Sequence, residues 1–422
     1  MDFSPVAFYP CDMLLPREGT DLTRWSCVAC DQYTSEPEYW QQVEELVGDA
    51  PSTLNLMLPE VYLKESEQRV PRIHAAMREA MDSGVLTQQV TDAFVLVERT
   101  TAAGTRTGLI GCVDLEQYSF ETGAEALIRP TEQTVRSRLP ARAAIRRGAP
   151  LEMTHIMMLL NDPERTVIEP LKTRKSTLRP LYDFDLMQGG GHLRGWAVES
   201  ETDKLLILSA LTAIKNAQEG HPLLFAVGDG NHSLATAKTC WEELKPTLTE
   251  EQRKNHPARF ALVEIENIHD EALLFEPIHR VMTHVDADAL LGIWMTWAYA
   301  HNESLVLGDA DGHHFTFVRN DERVPSTIVN PSGAIEADTI QRFLDSYLAG
   351  HPDSGIDYIH GADVVLRLCA QDPTTVGVLL PALDKSAFFA ILDRIGVMPR
   401  KTFSLGEANE KRFYMECRRI TE

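Results

Sequence analysis

The chain is poor in cysteine, poor in basic residues relative to acids, and without a long apolar run. Each shortage removes a class of function. Seven cysteines in 422 residues are too sparse, and odd in number, for a disulfide scaffold. Cys112, Cys240, Cys369 and Cys417 sit in apolar surroundings and read as small core residues of a reduced compartment. Cys27 and Cys30 form the one CxxC, yet no second ligand pair follows at zinc-site spacing and the Asp31–Pro37 stretch is turn-rich. Both are expected reduced and unligated. Lys and Arg total 40 against 62 Asp and Glu, a net charge of −22, which argues against binding nucleic acid or anionic membranes. No segment approaches the ~18–20 apolar residues that span a bilayer. The opening Met1–Pro10 segment has neither the basic nor the apolar region of a secretory signal, so a cytoplasmic protein is expected. Internal repeats, GxGxxG, the Lys-Ser/Thr pair of a Walker loop and HExxH are missing as well.

What is present is an ordinary globular composition, 44% hydrophobic and 24% charged, over a length that suits two or three compact units. The fold class expected is α+β, a mixed α/β protein with more than one sheet and no strict βαβ rhythm. Helices are expected within 35–83, over 201–218 and 232–245, with a basic helical stretch over 131–147 broken by Pro140. Strands are expected at 92–98, 107–113, 155–160, 193–198, 223–227 and 259–265. The last third predicts helices at 286–299, 337–348 and 384–395, with strands at 304–308, 314–319 and 376–380. The division expected is 1–280, carrying the functional loop, and 281–422, packed on it.

The sharpest local feature is Gly228-Asp229-Gly230-Asn231-His232-Ser233, between an apolar strand and a helix. Leu234, Ala237, Trp241 and Leu244 give that helix its apolar face. Asn231 reads as its N-cap, which leaves the first-turn N–H groups of His232, Ser233 and Leu234 facing the loop mouth. Unpaired donors at the positive end of a helix hold anions. Gly228 and Gly230 permit positive φ and close approach of a ligand. The pattern alone fits a plain strand-to-helix turn equally well. A second glycine-containing run, Asp309–Phe315, reads as a hairpin turn.

Charge is unevenly spread. Arg129, Arg136, Arg138, Arg142, Arg146 and Arg147 fall within 129–147 beside a single acid, Glu132. Smaller basic clusters are Lys172, Arg174, Lys175 and Arg179, and Arg400, Lys401, Lys411, Arg412, Arg418 and Arg419. Arginine concentrated in an acidic protein suggests bidentate clamps for phosphate or carboxylate. The alternative is a set of ion pairs with the surplus acids. Glu276, His279 and Arg280 interrupt an apolar string, where they could pair with one another or offer an acid/base and an anion ligand. Tyr182–Asp185 and Gly189–His192 read as a lid or a loop passing close to a ligand.

These residues are similar to the signature of the domain-of-unknown-function family 1015. Most members read Asp-Gly-His-His-Arg, and a subgroup reads Asp-Gly-Asn-His-Ser as at 229–233. Val28–Tyr33 with Pro37–Trp40, Ile128–Glu132, Phe275–Arg280 and Pro399–Phe403 match that subgroup in order. The signature resembles the phosphate-binding loop of the ParB/sulfiredoxin fold, in which archaeal free-serine kinases carry Asp-Gly-His-His-Arg. This sequence departs at Ser233, where the arginine is missing, so Arg136 or Arg280 would have to supply the charge.

The resemblance implies a ParB/sulfiredoxin-like strand–loop–helix core and a nucleotide-dependent phosphotransferase acting on a small metabolite hydroxyl, with free serine as one acceptor. It implies Mg²⁺ and an adenine nucleotide as cofactors. Asp229 is the expected metal ligand or base, His232 a donor to phosphate, and Glu276 and Glu132 further bases. Gly228, Gly230, Asn231, Ser233, Arg129, Arg136, His279, Arg280 and Lys401 are the expected nucleotide contacts. A nucleotide and a small substrate are the expected partners, without nucleic acid or membrane, and with the oligomeric state, homodimer included, left open. The other readings are a non-catalytic nucleotide- or phosphate-binding regulatory module, and a metal-dependent hydrolase built on Asp229, His232 and His279.

Overall fold

The computed structural model describes residues 1–153, 155–320 and 322–421, which form two compact units. The first comprises Met1–Leu274 with Ala408–Glu422, and the second Phe275–Glu407. A division after Arg280 would cut a continuous strand, Phe275–Thr283, and the C-terminal segment belongs to the first unit instead of the second. Both units mix helices with a sheet, so the protein is α+β. Among the described residues no helix is long and apolar enough to cross a membrane.

The sheet of the first unit runs in the order Ile128–Pro130, Phe225–Asp229, Met157–Leu160, Phe260–Asn267, Gly104–Asp114, Leu86–Thr101, Cys11–Pro16, Cys417–Arg419, Leu151–Met153. Side chains alternate across it. Phe94 and Leu96 enter one core while Val95 and Val97 enter the other, and Leu109 and Ile110 divide likewise. Burial of both faces explains why these strands read as unbroken apolar runs. One core takes the helices Pro37–Val47 and Ser66–Asp82, through Trp40, Val43 and Met77. The other takes Glu201–Asn216 and Asn231–Leu244, through Ile207, Leu211, Leu234 and Trp241. Pro140 stands in the first turn of the Leu139–Arg146 helix, so it opens a helix instead of breaking one.

Some inward positions of this sheet are acidic. An isolated buried carboxylate is costly, so each needs a partner. The C-terminal segment supplies several. Arg412 Nη1 lies 2.8 Å from Glu264 Oε2, and its other terminal nitrogen binds Glu416, which also accepts the Tyr182 hydroxyl. Arg418 lies 2.6 Å from Glu152. Arg106, from the sheet itself, lies 3.0 Å from Glu266, whose carboxyl burial pushes up despite that arginine.

In the second unit the sheet order is Leu305–Leu307, Glu322–Ile328, His313–Arg319, Val376–Leu379, Phe275–Thr283, Gly355–His360, with Phe403–Leu405 also on Phe275–Thr283. The expected hairpin turn at Asp309–Phe315 is not one. Glu322–Ile328 inserts between the flanking strands and pairs with both, so the segment links strands two apart. Trp294 is buried against Trp297 and Phe343, at ring separations of 5.3 and 4.7 Å, and anchors the Ala287–Ala300 helix.

Replacing Arg412 with leucine leaves Glu264 and Glu416 buried without their cation. Denaturant unfolding of Arg412→Leu should show a loss of about 3–5 kcal/mol, the usual cost of breaking a buried ion pair from one side. The exposed Arg419→Leu should stay within about 0.5 kcal/mol of the parent. Equal effects from the two would contradict the role given to Arg412.

Candidate functional site

Strand, loop and helix follow one another at 225–244 as the sequence predicts. Gly228 is the extra residue of a bulge, because Val227 and Asp229 pair with the adjacent residues Met158 and Met157. Gly230 then turns the chain at φ +78°, a left-handed conformation, and a Cβ there would sit 3.1 Å from the Ile156 Cα. Glycine is favoured at this point for both reasons. The N-cap is Gly230 and not Asn231. Asn231 is instead a clamp: its Oδ1 accepts the Thr131 N–H at 3.2 Å, and its Nδ2 donates to Thr131 Oγ1 and the Val227 carbonyl. The loop is thereby fixed to the neighbouring strand.

Around this turn the first unit gathers groups far apart in sequence. Asp229 Oδ1 accepts the Gly230 N–H at 3.0 Å, and Oδ2 lies 3.3 Å from Lys411 Nζ. The Cys30 N–H donates to the Tyr414 hydroxyl at 3.2 Å, and that hydroxyl lies 2.8 Å from His155 Nδ1. His155 Nε2 lies 2.8 Å from Ser233 Oγ and 3.7 Å from Asp31 Oδ2. Burial pushes the Asp31 carboxyl up, but His155, a hydrogen bond from the Gln32 side chain and Lys411 outweigh it and hold the pKa below the ordinary carboxylate value. His232 Nε2 accepts the Val135 N–H at 3.3 Å, which puts the proton of its neutral ring on Nδ1.

The other residues expected here have different surroundings. Arg129 donates to the His221 carbonyl, on the loop entering the Phe225–Asp229 strand and not the one leaving it. Arg136 is exposed, paired with Glu121 and lying over Phe120. Arg142 pairs with Glu60, Arg146 with Glu152 and Arg147 with Glu243, so much of the arginine surplus meets acids. Glu276, His279, Arg280 and Lys401 belong to the second unit. Glu276 stands in the Phe275–Thr283 strand opposite Ser404. His279 Nδ1 accepts the Leu380 N–H at 3.1 Å, and Arg280 donates to the carbonyls of Ile278 and Lys401 while lying over Tyr358. Cys27 and Cys30 are free thiols, and burial pushes both upward, Cys30 to about 12.

Asp31, His155, Lys411 and Tyr414 were not singled out by spacing. Asp31 lies in a block that carried the family resemblance, and Lys411 in the C-terminal basic cluster, but His155 and Tyr414 gave no signal. Among the described residues no group of three or more His, Cys, Asp or Glu side chains is arranged to hold a metal.

A family model described as "Protein of unknown function (DUF1015)" matches residues 14–347. No curated protein matches the chain. Among solved structures, a mutant free serine kinase in complex with AMP is 11% identical with a TM-score of 0.39, covering 74% of this chain and 90% of its own. A conserved hypothetical protein from Pyrococcus furiosus is 11% identical with a TM-score of 0.35, covering 74% and 94%. SbnI with a C-terminal truncation, from Staphylococcus aureus, is 9% identical with a TM-score of 0.37, covering 70% and 81%.

His279 carries a pH signature that checks its assignment to the core. Burial, then Arg280 and His360, lower its pKa to about 4 from the usual 6.5. The stability drawn from the neutral ring is complete above the unfolded-state value and is lost as pH falls through the folded one. Histidine NMR, assigned with His279→Gln, should show this ring neutral down to about pH 4. A titration near pH 6.5 would contradict its burial.

Proposed function

The chain belongs to the DUF1015 family, and we propose that its first unit binds an adenine nucleotide at Gly228–Ser233 and transfers a phosphoryl group to the hydroxyl of a small metabolite. The observation that carries this reading is the meeting of a helix N-terminus, opened by left-handed Gly230, with the Asp229–Lys411 pair and Asp31. Phosphoryl transfer asks for positioning and charge neutralisation more than for a covalent nucleophile. The first-turn amides of residues 231–233 would hold phosphate oxygens, with the Nδ1 side of His232 as a further donor. Lys411 would supply the positive charge that relatives draw from an arginine at the Ser233 position, a simpler source than Arg136 or Arg280.

In the transfer the acceptor hydroxyl oxygen forms a bond to the γ-phosphorus as the bond from that phosphorus to the β-bridging oxygen breaks. The hydroxyl proton passes to the Asp31 carboxylate, and a nucleoside diphosphate leaves. Asp229 is a single, partly exposed carboxylate, which suits magnesium held mainly by phosphate oxygens and water. The ion would neutralise charge on the transferred group.

A second reading rests on Ser233. Its oxygen is bonded to His155 and it brings no charge of its own, which favours a nucleotide-binding regulatory module without turnover. Calorimetry with ATP and Mg²⁺, joined to an assay of label transfer from [γ-³²P]ATP, separates the two. His232→Ala should weaken binding by about 1.5–3 kcal/mol, the range for bonds to charged groups. That is roughly 10- to 150-fold in affinity. Asp229→Asn and Asp31→Asn should keep binding and abolish transfer. Binding without transfer by the parent protein supports the regulatory module. Unchanged affinity in His232→Ala, with full transfer in Asp229→Asn, leaves the loop a structural turn.

A further inference from the structure

The first unit holds a second cavity, of about 340 Å³, at the end of its sheet away from the Gly228–Ser233 loop. At the loop end Asp229 pairs with Met157, whereas Asn267, which binds the cavity residue Glu169, pairs with Leu160 at the other end of that strand. The cavity wall carries five charged side chains and no large apolar one. Three of the five have partners. Arg165 lies 3.8 Å from Glu271, and the Asp270 oxygens accept the Thr107 and Ala272 N–H groups at 3.1 and 2.9 Å. The other two are open. Glu169 Oε1 accepts a side-chain N–H of Asn267 at 2.9 Å, but its Oε2 is buried without a hydrogen-bond partner. Lys172 has no hydrogen bond or ion pair among the described residues. The Thr107 hydroxyl also lines the cavity, on a residue only 2% exposed, and it too is without a partner. Buried polar groups of native proteins are normally bonded, so a carboxylate oxygen and a hydroxyl left open on one cavity point to a ligand.

Glu169 and Lys172 stand three residues apart in the helical turn Glu169–Thr173, a spacing that puts them on one face, yet they do not pair. A molecule that satisfies both must offer a cation to the carboxylate and an anion to the ammonium group. An anion alone would leave the buried Glu169 oxygen uncompensated, and a cation alone would leave Lys172 without a counter-ion. We propose that this cavity binds a small zwitterionic α-amino acid. Its ammonium group would donate to Glu169 Oε2 and to the Thr107 hydroxyl, on the side where Asp270 holds the Thr107 N–H. Its carboxylate would accept from Lys172 Nζ. Apart from the charges the wall is alanine, glycine and threonine, so the side chain of the ligand is short. The site is separate from the phosphate loop, and its occupation does not depend on the phosphotransferase reading.

Calorimetry on the full chain without nucleotide tests the assignment, with L-alanine as the probe because it has no hydroxyl to accept a phosphoryl group. Propanoate lacks the ammonium group and ethylamine the carboxylate. Each should bind roughly 10- to 150-fold more weakly than L-alanine, the span of one hydrogen bond to a charged group. L-Leucine should bind no more tightly than L-alanine, since the wall offers its side chain no large apolar partner. Lys172→Met and Glu169→Gln should each lose at least about tenfold in affinity for L-alanine. The glutamine keeps an oxygen for Asn267, so that variant should fold. Thr107→Val removes a buried hydroxyl that has no partner in the ligand-free protein. It should weaken L-alanine binding without lowering the thermal unfolding midpoint, a combination that a merely structural threonine would not give. Circular dichroism is the fold control for all three variants. L-Alanine binding that falls in all three, with the midpoint of Thr107→Val held, supports the site. Absence of L-alanine binding would overturn the inference, as would propanoate or ethylamine binding as tight as that of L-alanine, or L-alanine binding indifferent to Lys172→Met and Glu169→Gln.

Discussion

The first unit depends on cations from its last residues meeting acids on its sheet. Arg412 between Glu264 and Glu416, Arg418 on Glu152, and Lys411 on Asp229 all come from the eight residues 411–418. Without Arg412, Glu264 and Glu416 would lie in low-dielectric surroundings without the cation they share, and buried charge without a partner is costly. Removing one side of a buried pair costs more than the pair contributes, because the remaining charge stays desolvated. The same segment brings Tyr414 to His155 and Cys417 to the sheet. It is therefore a structural strand and the source of site residues at once.

This coupling explains the composition of the candidate site. Asp229 alone would be an ordinary turn-forming residue beside two glycines. With Lys411 at 3.3 Å it becomes half of a charge pair next to a helix N-terminus, where an anionic ligand is also favoured. Asp31 is held in its charged form by His155 and Lys411, and His155 is fixed in turn by Tyr414. The result is a cluster of partly buried acids and cations brought together from distant parts of the chain.

What could be read in the sequence follows from range of interaction. The strand, loop and helix at 225–244 were legible because a switch from continuous apolar residues to helical spacing across two glycines is a local signal. The helices Glu201–Asn216 and Ala287–Ala300 were legible for the same reason. Pro140 misled, since a proline inside an expected helix and one in the first turn of a shorter helix look alike in one dimension. The strand Glu322–Ile328 was missed, and with it the true partners of its neighbours, because insertion into a sheet is a tertiary event. The basic composition of 129–147 was plain, but its partners Glu60, Glu121, Glu152 and Glu243 lie on other elements and could not be read from spacing. Tyr414 and His155 stand 259 residues apart in the chain, and only the return of the C-terminal segment joins them.

The central claim is that the Gly228–Ser233 loop is a phosphate site completed by Lys411. A crystal structure of the protein with AMP tests it most directly. The account predicts the phosphate within hydrogen-bond distance of the 231–233 amides, with Lys411 Nζ turned from Asp229 toward a phosphate oxygen. A nucleotide bound elsewhere, with the Asp229–Lys411 pair unchanged and the loop amides away from any phosphate, would contradict it.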